Sequence, residues 1–120
     1  MKVKTVVSLV AIFFVATYGF APKINAQTVD NLKEAFKGET TASAKYSAYS
    51  KKAKEEGYNN IAKLFEAASK SENIHAGNHK AVLEQLGVKV DKINPEFEVK
   101  STKENLLDAI AGESYEVTKM

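Results

Sequence analysis

The chain contains no cysteine. Disulfides, zinc–thiolate sites and thiol catalysis are therefore excluded for these 120 residues. It also contains no arginine, so the planar, bidentate phosphate clamp is absent. Proline occurs at only two positions, Pro22 and Pro95, and everything between them is free to form long uninterrupted helices. Histidine occurs twice, at His75 and His79, four residues apart. With so few nitrogen ligands and no sulfur ligand, any metal chemistry here rests mainly on carboxylates.

The one long apolar run lies at the N-terminus. Two lysines in Met1–Lys4 precede Thr5–Phe20 (TVVSLVAIFFVATYGF), then comes Pro22, and Ile24-Asn25-Ala26 stands before Gln27. A basic start, a short apolar stretch and a small residue before a polar one describe a secretory signal peptide. The run is shorter than the ~20 residues of a membrane span. Residues 1–26 are thus expected to be a leader cleaved after Ala26, giving an exported, periplasmic protein, or a membrane-tethered one if the leader is retained. Without Lys2, Lys4 and Lys23 the formal charge falls from +2 to about −1. No argument for a nucleic-acid partner survives that change. Residues 27–120 are large enough for one small core, marginal if alone.

Three helices are predicted after the leader, and the fold class is all-α. The first spans about Val29–Glu56, capped by Thr28 or Asp30 and ended by Gly57, with Leu32, Ala35, Phe36, Ala42, Tyr46, Tyr49 and Ala53 on its apolar face. The second spans about Tyr58–Leu86, with a seam of Ile61, Phe65, Ala68, Val82 and Leu86, and stops at Gly87. A tight turn at Gly57 makes residues 27–87 an antiparallel hairpin. Residues 88–102 contain Pro95 and no helical stripe; fully extended they reach ~50 Å, enough to cross the length of a helix pair. A third helix opens near Ser101 or Thr102, where Ser101 and Glu104 have capping-box spacing, and Leu106, Ala109 and Ile110 begin its apolar face.

The third helix repeats the first. Asn31-Leu32-Lys33-Glu34-Ala35-Phe36-Lys37-Gly38-Glu39 aligns with Asn105-Leu106-Leu107-Asp108-Ala109-Ile110-Ala111-Gly112-Glu113 at a constant offset of 74. A second copy of the second helix is expected to follow, mostly beyond residue 120.

Charged residues on the apolar stripes are the anomaly, because an unpaired buried carboxylate is costly. Glu39, Glu72, His75, Glu113 and Glu116 fall where the helical pattern calls for Leu or Ile. Glu39 is 18 residues before Gly57 and His75 is 18 after it. In a hairpin those positions share a height, ~27 Å from the turn. Glu72 lies within a turn of that level, and the repeat makes Glu113 the counterpart of Glu39. Several carboxylates in a dry core repel one another and protonate. Divalent cations relieve the repulsion, and oxygen ligands with imidazole suit iron or manganese. One helix giving Glu and its neighbour giving Glu-x-x-His, repeated once, is the ligand plan of di-iron carboxylate bundles.

The segments Ala35-Phe36-Lys37-Gly38-Glu39, Lys54-Glu55-Glu56-Gly57-Tyr58, Glu72-Asn73-Ile74-His75 and Ala111-Gly112-Glu113-Ser114-Tyr115-Glu116 resemble the rubrerythrin family, over roughly residues 29–120. The extra carboxylate Glu116 separates this pattern from ferritin-type sites. The resemblance implies a ferritin-like four-helix bundle, of which this chain holds the hairpin, the crossover and the third helix (residues 103–120). It implies two non-haem irons (manganese being the alternative metal), with Glu39 terminal on one, Glu72 bridging and Glu113 on the second. Glu116 and His75 would exchange at the first iron as its oxidation state changes. Tyr46 would hydrogen-bond ligand carboxylates from outside the coordination sphere. The implied activity is reduction of hydrogen peroxide to water in oxidative-stress defence, with electrons from an external donor such as a rubredoxin, in a protein that is a homodimer at full length. Glu116, His75 and Tyr46 are the residues expected to carry the catalysis.

Two parts of the family pattern are absent from these residues: a second Glu-x-x-His, due near residue 146, and a cysteine-rich rubredoxin module. Five of the expected seven ligands are present, so the chain by itself is expected to hold a di-iron pair weakly and to turn over little. An iron-binding or ferroxidase-like module and a metal-free structural bundle are the competing readings. His79 continues the seam but receives no ligand role; it is expected at the edge of the core or behind the ligands.

Overall fold

The computed structural model describes residues 24–119, without the side chain of residue 119. Most of the proposed leader, residues 1–23, lies outside the described residues. Three helices are present in order: α1 (Ala26–Glu55), α2 (Asn59–Gln85) and α3 (Thr102–Lys119). No strand occurs among the described residues, and none of the helices is long and apolar enough to cross a membrane.

α1 begins earlier than the sequence pattern predicts. Asn25, rather than Thr28 or Asp30, is the cap: its side chain accepts from Gln27 N at 3.1 Å. Its carbonyl accepts from Thr28 N at 2.9 Å. Once a short polar side chain satisfies the first free N–H groups, the helix can start there whether or not the apolar stripe has begun. At the other end, Gly57 (φ 84°) turns the chain into α2, and Gly87 (φ 71°) ends α2. Both occupy the left-handed region that favours glycine.

α1 and α2 pack along their lengths as the expected antiparallel hairpin. Tyr46, Tyr49 and Phe65 form its aromatic centre, with ring centroids 5.3–6.2 Å apart, and Ala53, Ala62 and Leu83 are fully enclosed. Small residues let the backbones approach. Ser43 Oγ donates to Ser69 O at 2.9 Å, Ser69 Oγ donates to Ser43 O at 2.7 Å, and Ser50 Oγ donates to Ala62 O at 2.8 Å.

The seam of α2 departs from the expected one in its second half. Val82 is 41% exposed, whereas Leu83 and Ala76 are buried. At 3.6 residues per turn the inward line drifts, and a 27-residue helix moves it by about one position.

Residues 88–101 run back without regular structure, and α3 docks on α1. The capping box forms: Glu104 N donates to Ser101 Oγ at 3.3 Å and Ser101 N donates to Glu104 Oε2 at 3.2 Å. Glu56 also caps α3, its Oε2 accepting from Thr102 N at 2.8 Å. Asn105, 1% exposed, clasps Lys100 by accepting from its N–H and donating to its carbonyl. Leu106 and Ala109 pack against the aromatic centre. Ile110 does not: it is 61% exposed and faces an open groove between α2 and α3, whose floor is Tyr46 and Phe65. That groove exists because α1 lies close to both other helices while the backbones of α2 and α3 stay further apart.

Candidate metal centre

The hairpin sets Glu39, Glu72 and His75 side by side, as the equal spacing about Gly57 requires. One donor atom from each can be chosen so that all lie within 4.8 Å of one another. His75 Nδ1 is 3.7 Å from Glu72 Oε2 and 4.0 Å from Glu39 Oε1. The two carboxylates are mostly covered, whereas the His75 side chain is 52% exposed. The same drift that buries Ala76 puts His75 on the flank of the seam rather than in its centre.

α3 brings the other two carboxylates to the same region: Glu113 and Glu72 line one groove between α3 and α2. Tyr46, buried on α1, donates through its hydroxyl to Glu113 Oε1 at 2.6 Å. Glu116, one turn further along, lies beside Gly38, Ala42 and Tyr46. Neither Glu113 nor Glu116 joins the close trio, but both act on it electrostatically. Burial, then repulsion from Glu113 and Glu116, raises the Glu72 carboxyl above its ordinary value. Burial, then repulsion from Glu113 and Glu39, raises Glu116. Tyr46 is pushed well above the usual phenol range by burial and by its bond to Glu113. The raised carboxyls reflect burial first and crowding of acidic groups second.

One further group belongs here and was not assigned to the site from sequence. His79 Nε2 stands 3.1 Å from Glu39 Oε2. The approach is not aligned as a hydrogen bond, and that oxygen is buried with no hydrogen-bond partner. The spacing of Glu72, His75 and His79 at i, i+3 and i+7 held the signal. What it could not reveal was which oxygen of Glu39 would face it. A second network, away from the trio, fastens α3 to α1: Asp108 Oδ2 accepts from Lys45 Nζ at 2.7 Å and from Tyr49 Oη at 2.9 Å.

The sequence model of the rubrerythrin family matches residues 30–120. The chain belongs to the rubrerythrin family. Among curated rubrerythrin relatives, nigerythrin of Nitratidesulfovibrio vulgaris is 41% identical over 96 residues, covering 78% of this chain and 46% of that protein. Rubrerythrin-2 of Clostridium acetobutylicum is 38% identical over 97 residues, covering 80% of this chain and 53% of the relative. Rubrerythrin of Porphyromonas gingivalis is 35% identical over 95 residues, covering 79% and 48%. The chain thus spans about half the length of the curated relatives it matches. A solved structure of nigerythrin in a fully reduced, all-ferrous state superposes with a TM-score of 0.68 at 37% identity, over 97% of this chain and 58% of that one. The fold is therefore ferritin-like, as the family resemblance implies.

Proposed function

We propose that this chain carries part of a non-haem di-iron centre that reduces hydrogen peroxide, in a rubrerythrin-type peroxidase of oxidative-stress defence. The observation that carries the reading is the Glu39 carboxylate: one oxygen is buried without a hydrogen bond, inside a cluster of other acids. An enclosed anionic oxygen with no donor costs free energy, and a bound cation removes that cost. Four carboxylates with imidazole are the donor set that iron, or manganese, accepts. The all-ferrous state of the similar nigerythrin structure supports iron.

Glu39, Glu72, His75, Glu113 and Glu116 would hold the metal pair. When bound in the diferrous state, the pair supplies the two electrons that, with two protons, turn one hydrogen peroxide into two waters. Glu72, beside His75 on α2 and near Glu39 on α1, would be a ligand held in common by the cluster. Tyr46 fixes Glu113 by holding Oε1, which leaves Oε2 free to ligate. Burial and the neighbouring acids Glu113 and Glu39 raise the Glu116 carboxyl, and with Tyr46 it lines a groove between α1 and α3. His75, half exposed, would be the ligand most open to solvent. Electrons would come from an external protein such as a rubredoxin, the full-length protein would be a homodimer, and the N-terminal leader would place it outside the cytoplasm.

Anaerobic loading with Fe(II), followed by a pulse of hydrogen peroxide, tests the reading. The expected result is two irons oxidised per peroxide, with Glu116→Ala slowing oxidation more than it weakens iron uptake. Equal loss of uptake and oxidation, or bound iron oxidised no faster than free iron, overturns the peroxidase assignment. The ligand atoms within reach of one another are all on the hairpin. That observation favours the second reading, an iron-binding module with little turnover, for the chain in isolation.

A further inference from the structure

We propose that Gln27 is a modification site: once the leader is cut after Ala26, its amino group closes onto its own side-chain amide to give a pyroglutamyl N-terminus, and the cap of α1 passes from Asn25 to Thr28. The proposal rests on the leader reading. It adds the chemical form of the new end and its effect on α1.

The start of α1 depends on residues that the cut removes. In the uncut chain the Asn25 side chain accepts from Gln27 N at 3.1 Å, and its carbonyl accepts from Thr28 N at 2.9 Å. Both acceptors lie on the leader side of the Ala26–Gln27 bond. Cleavage there takes the cap away and leaves an ammonium on Gln27, at the positive end of the helix dipole, where a cation is unfavourable. No acidic side chain stands in the first turn to offset that charge.

Two features resolve the conflict. Thr28 is the next residue able to cap: its hydroxyl can accept from the N–H of Asp30 or Asn31, and Asp30 then brings a carboxylate into the first turn. Gln27 would lie outside that shorter helix, released from the hydrogen bond that its Nε2 donates to Asn31 Oδ1 at 3.1 Å in the longer one. Residues 24–28 are exposed, so no packing against Gln27 hinders closure of the ring. The first buried residue of α1 is Tyr46, so the core does not depend on how the helix begins.

The chemistry needs no oxidant, water or cofactor. An α-amino group is partly uncharged near neutral pH. Its nitrogen attacks Cδ of the Gln27 side chain. A bond from that nitrogen to Cδ forms, the Cδ–Nε2 bond breaks, and one amine proton leaves with Nε2 as ammonia. The product is an uncharged lactam. The helix start loses its opposing cation, and an aminopeptidase finds no free amine to recognise.

Mass spectrometry of the N-terminal peptide, on chain isolated without delay from the organism that makes it, decides the matter. The expected peptide begins at residue 27 and is lighter than its sequence by one ammonia. A free amine on Gln27, or closure seen only after standing, overturns the modification and leaves the leader reading intact. Retention of residues 1–26, or a cut at another bond, overturns both. Gln27→Asn is expected to keep a free amine, because the shorter side chain cannot close a stable ring. An added aminopeptidase should then shorten that variant while the wild-type chain resists; equal trimming of the two overturns the protective role. In the processed chain Thr28→Ala is expected to speed amide exchange at Asp30 and Asn31 several-fold, and unchanged exchange overturns the transfer of the cap.

Discussion

Ser43 and Ser69 hold α1 and α2 in register by trading hydrogen bonds: each hydroxyl donates to the other residue's carbonyl, at 2.9 and 2.7 Å. Ser43 follows Glu39 by four residues and Ser69 precedes Glu72 by three, so this clasp lies one turn from the carboxylates. Ser43→Ala is expected to cost about 1 kcal/mol and leave cation affinity nearly unchanged. Ser69→Leu adds bulk where the backbones approach and is expected to cost roughly 1–3 kcal/mol by overpacking. It should also weaken Co(II) binding by separating Glu39 from Glu72. Thermal unfolding and metal titration on the same variants check both statements.

Tyr46→Phe keeps the aromatic centre and removes only the hydroxyl that Glu113 accepts. The expected stability loss is about 1 kcal/mol, with faster amide exchange in the middle of α3, which that bond helps hold to α1. In the iron-loaded protein, loss of this outer contact should reduce metal affinity or peroxide reactivity ~10–100-fold. Unchanged exchange and unchanged iron chemistry would show that the bond positions nothing.

The raised carboxyls give a pH signature for the metal-free chain. Glu72 and Glu116 bind protons more readily when folded than at their ordinary value of 4.5. The folded state then holds more protons than the unfolded one, so stability falls as pH rises from that ordinary value through the raised ones. A divalent cation requires the deprotonated forms, so its presence should reverse the slope. Glu72→Gln should stabilise the metal-free chain at neutral pH, flatten its slope and weaken metal binding. Asp108 acts oppositely. The Lys45 hydrogen bond lowers it below 3.8, so its contribution is present above that value and is lost as pH falls through the lower folded one. Denaturation midpoints from pH 3 to pH 8, with and without Co(II), separate the two windows.

Asn31 and Asn105 occupy equivalent places in the internal repeat but not in the structure. Asn31 is exposed and accepts from the Gln27 side chain, whereas Asn105 is enclosed and clasps Lys100 through both its amide atoms. Asn105→Ala is expected to cost roughly 1–3 kcal/mol, because it removes both hydrogen bonds to the Lys100 backbone from an enclosed side chain. Asn31→Ala should stay within about 0.5 kcal/mol. Urea unfolding of the two variants provides a comparison with its own internal control.

What the sequence by itself determined was local or periodic. Gly57 and Gly87 end helices because the left-handed backbone there suits glycine, and the Ser101–Glu104 spacing caps α3 because the reach is local. Equal spacing about Gly57 set Glu39 against His75, since helical rise is constant. Only the tertiary structure decided which side of a stripe met its neighbour. Helical drift over α2 exchanged Val82 for Leu83 and turned His75 outward. The closer approach of α3 to α1 than to α2 left Ile110 in a groove. His79 came to a buried oxygen of Glu39, a contact that depends on the rotation of two helices about their axes and on side-chain torsions. Residue spacing fixes height along a helix, but not those angles.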